Sequence, residues 1–378
     1  MPEETIYLDF QATTPLDPLV REAMIPWMSG AWNPHATEHR LGNDALNAVE
    51  TARGKVAWLL GCTSSEVTFT SGATESSNIV LRGVTNRGDS LAVSSLEHAS
   101  VAETALALEK DARSLHLLDV DNQGILDPDS LDAVMYNRPK LLSLIAVNNE
   151  IGVIQPIEEV AMACEENGIL FHSDMTQSIG RVASVLTAAP VDYASISSHK
   201  IYGPQGIGAL YIRNGATAPN PLSTGGSQEK GLRPGTVPVA SCVGFGVACE
   251  LAAARRKEDF EHAEKLARIM LDGLAELDGW QVNGSMEHRI PHNLNITFDG
   301  VDAEILLART PELALSTGSA CSSGSLRESA VLKAIGLSDE NSRGAVRIGL
   351  GRTTTDKEVG VAASMLCEHI RALRKAAA

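Results

Sequence analysis

The sequence predicts an α/β fold in which a large domain on a mainly parallel sheet is joined to a smaller α+β domain. Three features predict it. Between about residues 66 and 213, short apolar runs rich in β-branched residues alternate with longer helix-like stretches, the pattern of a parallel sheet covered by helices. Residues 247–272 contain neither Gly nor Pro and carry mixed charge through Arg255, Arg256, Lys257, Glu258 and Asp259, which predicts a long, partly exposed helix linking two domains. After it, strand candidates at 293–298 and 345–349, with helices near 303–309 and 356–374, predict the smaller α+β domain. At 378 residues the chain is long enough for two such domains, at roughly 150 residues each.

The runs of the first region lie at 66–70, 90–94, 141–147, 168–171, 193–196 and 208–212, and each ends in small, polar or ionisable residues. In open α/β sheets ligands collect beyond the carboxyl ends of the strands, so these endings are where chemistry is expected.

Composition narrows the function. Hydrophobic residues make up 44% and charged residues 21%, the balance of a globular protein. A net charge of −16 argues against a nucleic-acid partner, which needs a concentrated basic face. No window reaches the roughly 18 apolar residues of a membrane span, and Met1-Pro2-Glu3-Glu4 is acidic where a signal peptide is basic, so a cytoplasmic protein is expected. Six cysteines are spread without CxxC spacing, which indicates neither a zinc knuckle nor a disulfide framework.

The first strand ending, Ser71-Gly72-Ala73-Thr74-Glu75-Ser76, reads as a small-residue turn opening a helix, whose free amides suit an anion, with Thr74 adding a hydroxyl; an ordinary helix cap is the plainer alternative. His98 follows the second run, where a flat imidazole can stack on a flat ring and exchange protons. Asp174, in His172-Ser173-Asp174, arrives at a strand end where an acid needs a cationic partner such as a pyridinium nitrogen. Lys200, in Ser198-His199-Lys200-Ile201-Tyr202-Gly203-Pro204, closes a strand near both the anion turn and this acid, a placement suited to a Schiff base. His98, His172, Asp174 and His199 show no HxxxH or HxH spacing, so no metal is expected.

Two further segments stand out. Cys321 lies in Ser316-Thr317-Gly318-Ser319-Ala320-Cys321-Ser322-Ser323-Gly324-Ser325, a run that cannot pack a core and predicts an exposed thiol able to travel, as a nucleophile must. Arg347 and Arg352 end or follow a small-domain strand, and one of them is expected to clamp a substrate carboxylate, with salt bridging as the competing role. Arg352 is the expected clamp, because Gly351 before it leaves room for a ligand.

In this order, these segments resemble the cysteine desulfurases (NifS/IscS-like) of the class V aminotransferase group, fold type I pyridoxal-phosphate enzymes. The matches run from Tyr7-Leu8-Asp9-Phe10-Gln11-Ala12-Thr13-Thr14-Pro15 to Gly351-Arg352-Thr353-Thr354 and include Val147-Asn148-Asn149-Glu150-Ile151-Gly152 and Ser319-Ala320-Cys321. The resemblance implies a seven-stranded large domain over 14–256 that binds pyridoxal 5'-phosphate. A small domain formed by 1–13 and 257–378 would carry the Cys321 loop. It implies Lys200 as the Schiff-base lysine, Asp174 as partner of the pyridine nitrogen, His98 as the stacking ring and Gln177 as donor to the phenolic oxygen. Phosphate contacts would come from Ala73, Thr74, Ser197 and His199, with Thr236 reaching across from the second subunit of a homodimer. Asn33, Asn149 and Arg352 would hold the carboxylate of L-cysteine, and Asn149 would also touch the cofactor. The implied products are L-alanine and a Cys321 persulfide, destined for a protein sulfur acceptor in iron–sulfur cluster or thio-cofactor biosynthesis. Selenocysteine lyase and ordinary aminotransferase are the rival activities on the same fold, and the Cys321 loop separates a desulfurase from the latter.

Overall fold

The computed structural model describes residues 5–184, 186–317 and 329–377. The chain opens with a short strand, β1 (Ile6–Tyr7), and passes through α1 (Pro18–Met24) and α2 (Arg40–Leu60). The expected alternation then follows: β2 (Val67–Thr70), α3 (Ala73–Val84), β3 (Ser90–Ser94), α4 (Ala99–Lys110), β4 (Ser114–Leu118) and α5 (Pro128–Asn137). It continues through β5 (Leu141–Ser143), α6 (Ile157–Asn167), β6 (Leu170–Asp174), β7 (Tyr193–Ser197) and β8 (Gly208–Ile212).

These strands form one seven-stranded sheet in the order β2-β8-β7-β6-β5-β3-β4, with β8 antiparallel to both neighbours and the other pairings parallel. Helices cover both faces, so the inner strands are buried on both sides and read as apolar runs rather than as alternation. Strand β4 was not evident in the sequence. It is the sheet edge, half exposed and interrupted by His116, so it lacks the apolar run that marks its neighbours. Two boundaries also move. Gly168 adopts φ +68° and caps α6, so β6 begins at Leu170. The apolar run from Leu141 leaves regular pairing after Ser143, yet the amides of Leu144 and Ala146 still donate to the carbonyls of His172 and Asp174 at 3.1 and 2.9 Å. That pinning along β6 delivers Asn148 and Asn149 to the strand ends.

The long helix, α7 (Val239–Leu274), spans 36 residues, eight further at its start than expected. Glycines at 244 and 246 lie inside it, because small residues there let α1 and α2 pack close. Its first half contributes Cys242, Phe245, Ala248 and Ala252 to the core beneath the large sheet, and its second half contributes Leu266, Met270 and Leu274 to a separate core. That second core gathers β9 (Trp280–Val282), β10 (Asn293–Phe298), α8 (Ala303–Arg309), β11 (Leu313–Ala314), β12 (Ala345–Gly349) and α11 (Asp356–Ala377), whereas α9 (Ala330–Ala334) buries Val331 and Leu332 in a smaller cluster with Leu96, Ile151 and Val153, and α10 (Asp339–Arg343) lies at the surface. A three-stranded antiparallel sheet runs β12-β10-β9, and β1 pairs in parallel with β11, which brings Leu8 from the start of the chain into the second core.

Candidate active site

Beyond the carboxyl ends of β2, β3, β5, β6 and β7 lies a cavity of about 510 Å³. Ala73, Thr74, His98, Asn149, Asp174, Gln177, Ser197, His199 and Lys200 all line it, together with Gln11, Ala12 and Thr13 from the loop after β1 and Arg347 from β12. Residues separated by more than a hundred positions meet because most sit at or just beyond a strand end, with Arg347 reaching in from the middle of β12.

One end of the cavity is built for an anion. Amides in the first turn of a helix lack intrahelical partners, and Ala73 and Thr74 at the start of α3 face the cavity with Ser197 and His199 opposite. Gly72 leads into the helix at φ +154°, a conformation that side chains disfavour. Gly208 on β8 lies so close that a Cβ there would stand 2.4 Å from the Ile196 carbonyl oxygen and 2.6 Å from the Gly72 Cα. The tight turn depends on that missing side chain. His199 pairs through Nδ1 with Thr13 Oγ1 at 3.0 Å, and burial, with the neighbouring Lys200 charge, pulls its pKa down to about 4. It therefore acts as a neutral hydrogen-bonding group at pH 7.

The other end carries a buried acid and an imidazole. Asp174 ends β6 almost fully buried, and its Oδ1 accepts the Thr176 amide at 2.9 Å. Beside it, the buried Glu97 carboxyl is raised well above the ordinary range, by burial first and by the Asp174 charge second. Burial and that neighbouring carboxyl both favour the protonated form of Glu97. Ser143 Oγ lies 3.4 Å from Glu97 Oε1 and 2.8 Å from His172 Nδ1, and His172 Nε2 lies 2.8 Å from Ser195 Oγ. This chain runs beneath the acid, and burial holds His172 neutral with a pKa near about 4. His98 caps α4: its Nδ1 accepts the Ser100 amide at 3.1 Å, so the neutral ring carries its proton on Nε2.

Lys200 Nζ donates to the carbonyls of Gln11 at 2.5 Å and Ala12 at 2.8 Å. Gln177 Nε2 donates to the same Gln11 carbonyl at 3.0 Å. The donor set fits pyridoxal phosphate: unpartnered helix amides for the phosphate, a buried carboxylate for the pyridine nitrogen, an amide for the phenolic oxygen, and a primary amine between them.

The structure gives the two arginines different surroundings. Arg347 lines the cavity, its Nη1 donating to the Asn149 carbonyl at 3.1 Å and its Nη2 to Asp9 Oδ1 at 2.8 Å. On β12 it alternates with Val346 and Ile348, which face the second core, so its own side chain takes the opposite face. Arg352 is instead absorbed in structure: it pairs with Asp259 at 2.8 Å and Asp17 at 3.0 Å, and lies 4.2 Å above the Tyr202 ring. The space at Gly351 belongs to Phe10, whose ring would stand 2.1 Å from a Cβ there. Asn33 also lies outside the cavity of this chain; it is exposed, with Oδ1 accepting the His35 amide at 3.0 Å. Thr236 is exposed and outside the cavity of its own chain.

Cys321 lies outside the described residues. The residues flanking 318–328 are anchored at the cavity rim. Ser316 bridges to Arg347 and its hydroxyl reaches Asp9 Oδ1 at 3.2 Å, while the Ser329 hydroxyl donates to Glu150 Oε2 at 2.6 Å. The described cysteines are buried or half-buried, and burial raises the thiols of Cys62 and Cys164 to about 12 and those of Cys242 and Cys249 higher. They are inert as thiolates at neutral pH.

The family model described as aminotransferase class-V matches residues 6–361. The chain belongs to the class-V aminotransferase family. Enzymes of this family use pyridoxal phosphate, in accord with the donor set above. Among its relatives, the cysteine desulfurase IscS of Rickettsia typhi is 41% identical over 377 residues, covering 98% of this chain and 92% of the relative. A solved NifS-like protein superposes with a TM-score of 0.89 at 33% identity, covering 97% of this chain and 99% of that one. SspA in complex with cysteine superposes at 0.81 with 34% identity, over 93% of this chain and 100% of that one.

Within this class-V site, Glu97, Arg181 and Gln11 were not singled out from the sequence. Glu97 adjoins His98, but an acid before a histidine carries no mark of burial. Arg181 looks like any charged residue after a glycine until its guanidinium is found 8% exposed.

Proposed function

We propose that this class-V protein is a cysteine desulfurase, taking the sulfur of L-cysteine onto Cys321 and releasing L-alanine. The observation that carries the reading is the joint presence, in one cavity, of Lys200, Asp174 and His98 with Arg347, whose strand is bridged to Ser316 where the Cys321 segment departs. When bound, pyridoxal phosphate supplies an electron sink that acidifies the amino acid Cα–H and weakens its bond to sulfur.

The residues divide the remaining work. Asp174 holds the pyridine nitrogen protonated, with Glu97 neutral beside it so that the two carboxyls do not repel. Ala73, Thr74, Ser197 and His199 bind the phosphate, and Thr236 of a second copy completes that site, so the working unit is a homodimer. Arg347 and Asn149 orient the substrate carboxylate. Lys200 leaves the carbonyls of Gln11 and Ala12 to take the Cα proton, and His98 Nε2 moves protons on the open ring face. The Cys321 thiolate forms an S–S bond to the substrate sulfur; the C–S bond breaks, its electron pair stays on carbon, and protonation there yields alanine. The persulfide passes to a protein sulfur acceptor of iron–sulfur or thio-cofactor biosynthesis. None of the described helices is long and apolar enough to cross a membrane, and we place the enzyme in the cytoplasm.

The test is incubation of the purified protein with L-cysteine and a thiol reductant, measuring alanine and sulfide together. Equimolar release is expected from a yellow protein, with Cys321→Ser binding cysteine yet releasing no sulfide. A colourless protein that pyridoxal phosphate cannot reconstitute, or full sulfide release from Cys321→Ser, overturns the reading.

A further inference from the structure

Arg181 is a buried guanidinium with no carboxylate in salt-bridge reach among the described residues. Burial lowers its pKa to about 10, which leaves it charged at pH 7. A cation held this way is costly unless its donors are spoken for. Its hydrogen bonds go to the segments that follow β6 and β7: Nη1 donates to Gln177 Oε1 and to the Gln177 carbonyl at 3.1 Å, and Nη2 to the Lys200 carbonyl at 3.3 Å.

The chemistry of these partners permits one orientation of the Gln177 side chain. A guanidinium only donates and the Gln11 carbonyl only accepts, so Oε1 must face Arg181 and Nε2 must face Gln11 and the cavity. Turning the amide over would set donor against donor and acceptor against acceptor. Without Arg181 the orientation rests on the Gln11 carbonyl alone, an acceptor that Gln177 shares with Lys200 Nζ.

We propose that Arg181 is a positioning residue that locks the Gln177 amide, so that Nε2–H is presented to the phenolic oxygen of bound pyridoxal phosphate and its donation is strengthened by the adjacent charge. This rests on the cofactor reading of the site. A donor to that oxygen disperses its negative charge, so the nitrogen of the cofactor-linked Lys200 sheds its proton more easily. Arg181 thereby lowers the pH at which the bound cofactor changes colour. The groups facing this point are Tyr202 and Asp259 beside Arg181, His292 behind it, and Lys200, Asp174, His98, His199 and Arg347 around the cavity.

The experiment is a spectroscopic pH titration of the cofactor-loaded protein, wild type against Arg181→Met, Arg181→Lys and Arg181→Gln, with each repeated in a Gln177→Met background. Arg181→Met is expected to raise the colour midpoint by about one pH unit, Arg181→Lys to restore most of it, and Arg181→Gln to fall between. In the Gln177→Met background the Arg181 changes should shift the midpoint little, because the residue acts through that amide. An unmoved midpoint in Arg181→Met, or an equal shift with and without Gln177, overturns the proposal. If Arg181→Met does not accumulate as folded protein, Arg181→Gln decides by the same criteria. A wild-type protein that takes up no cofactor strikes the reading of the site itself, whereas normal colour with unmoved midpoints strikes only the role of Arg181.

Discussion

Replacing Glu97 with glutamine tests whether the acid beneath the cofactor cavity is neutral. Glu97 is buried, its Oε2 has no hydrogen-bond partner among the described residues, and burial and the Asp174 charge together raise its carboxyl well above the ordinary range. In the unfolded chain a glutamate ionises near pH 4.5. Above that pH the unfolded chain sheds a proton that the folded protein keeps. The folded state then binds more protons, so stability falls as pH rises, by about 1.4 kcal/mol per pH unit while Glu97 stays protonated. Glutamine preserves the shape and does not titrate. The variant should therefore gain on the wild type from about pH 5.5 upward, by about 1.4 kcal/mol for each pH unit over which Glu97 keeps its proton, on top of a constant offset. Urea unfolding of the cofactor-loaded proteins across this range measures the difference directly. Two stability curves that stay parallel would show Glu97 charged in the fold and refute the division of roles between it and Asp174.

The two arginines should separate in opposite assays. Arg347→Lys is expected to fold normally and to raise the KM for L-cysteine about tenfold or more, since an ammonium cannot reproduce the forked contact; an unchanged KM moves the carboxylate site elsewhere. Arg352→Met should cost about 3 kcal/mol of stability by stranding Asp259 and Asp17, seen as a lower urea midpoint, and an unchanged midpoint would contradict that pairing. Gly208→Ala should cost about 3 kcal/mol or more, because its Cβ meets backbone on two sides, and should weaken retention of pyridoxal phosphate in dialysis; normal retention would show that the anion turn tolerates displacement.

Much of this was legible because strand endings advertise themselves. Apolar runs that stop at Ser71-Gly72, His98, Asp174 and Lys200 mark both the sheet and the rim of its crevice, and the cavity gathers those residues. Legibility failed where one residue type serves two purposes. Gly351 looks like room for a ligand, but the room is filled by Phe10, a residue more than three hundred positions away that no local pattern connects to it. Glu97 and Arg181 carry charges that the sequence alone assigns to solvent; only tertiary enclosure turns one into a neutral acid and the other into a fixed donor. Strand β4 went unread because an edge strand needs one apolar face and no more.

The segment after β1 has a consequence for handling the protein. Leu8 is stitched into the small sheet region, its carbonyl accepting the Gly349 amide at 2.7 Å, and a few residues later Gln11 and Ala12 hold the Lys200 ammonium. The front of the chain is thus a tether between the smaller core and the reactive amine. Trimming it past Ile6 would do more than remove a loose end: it would free the lysine from its resting partners and uncouple it from any displacement of the smaller core.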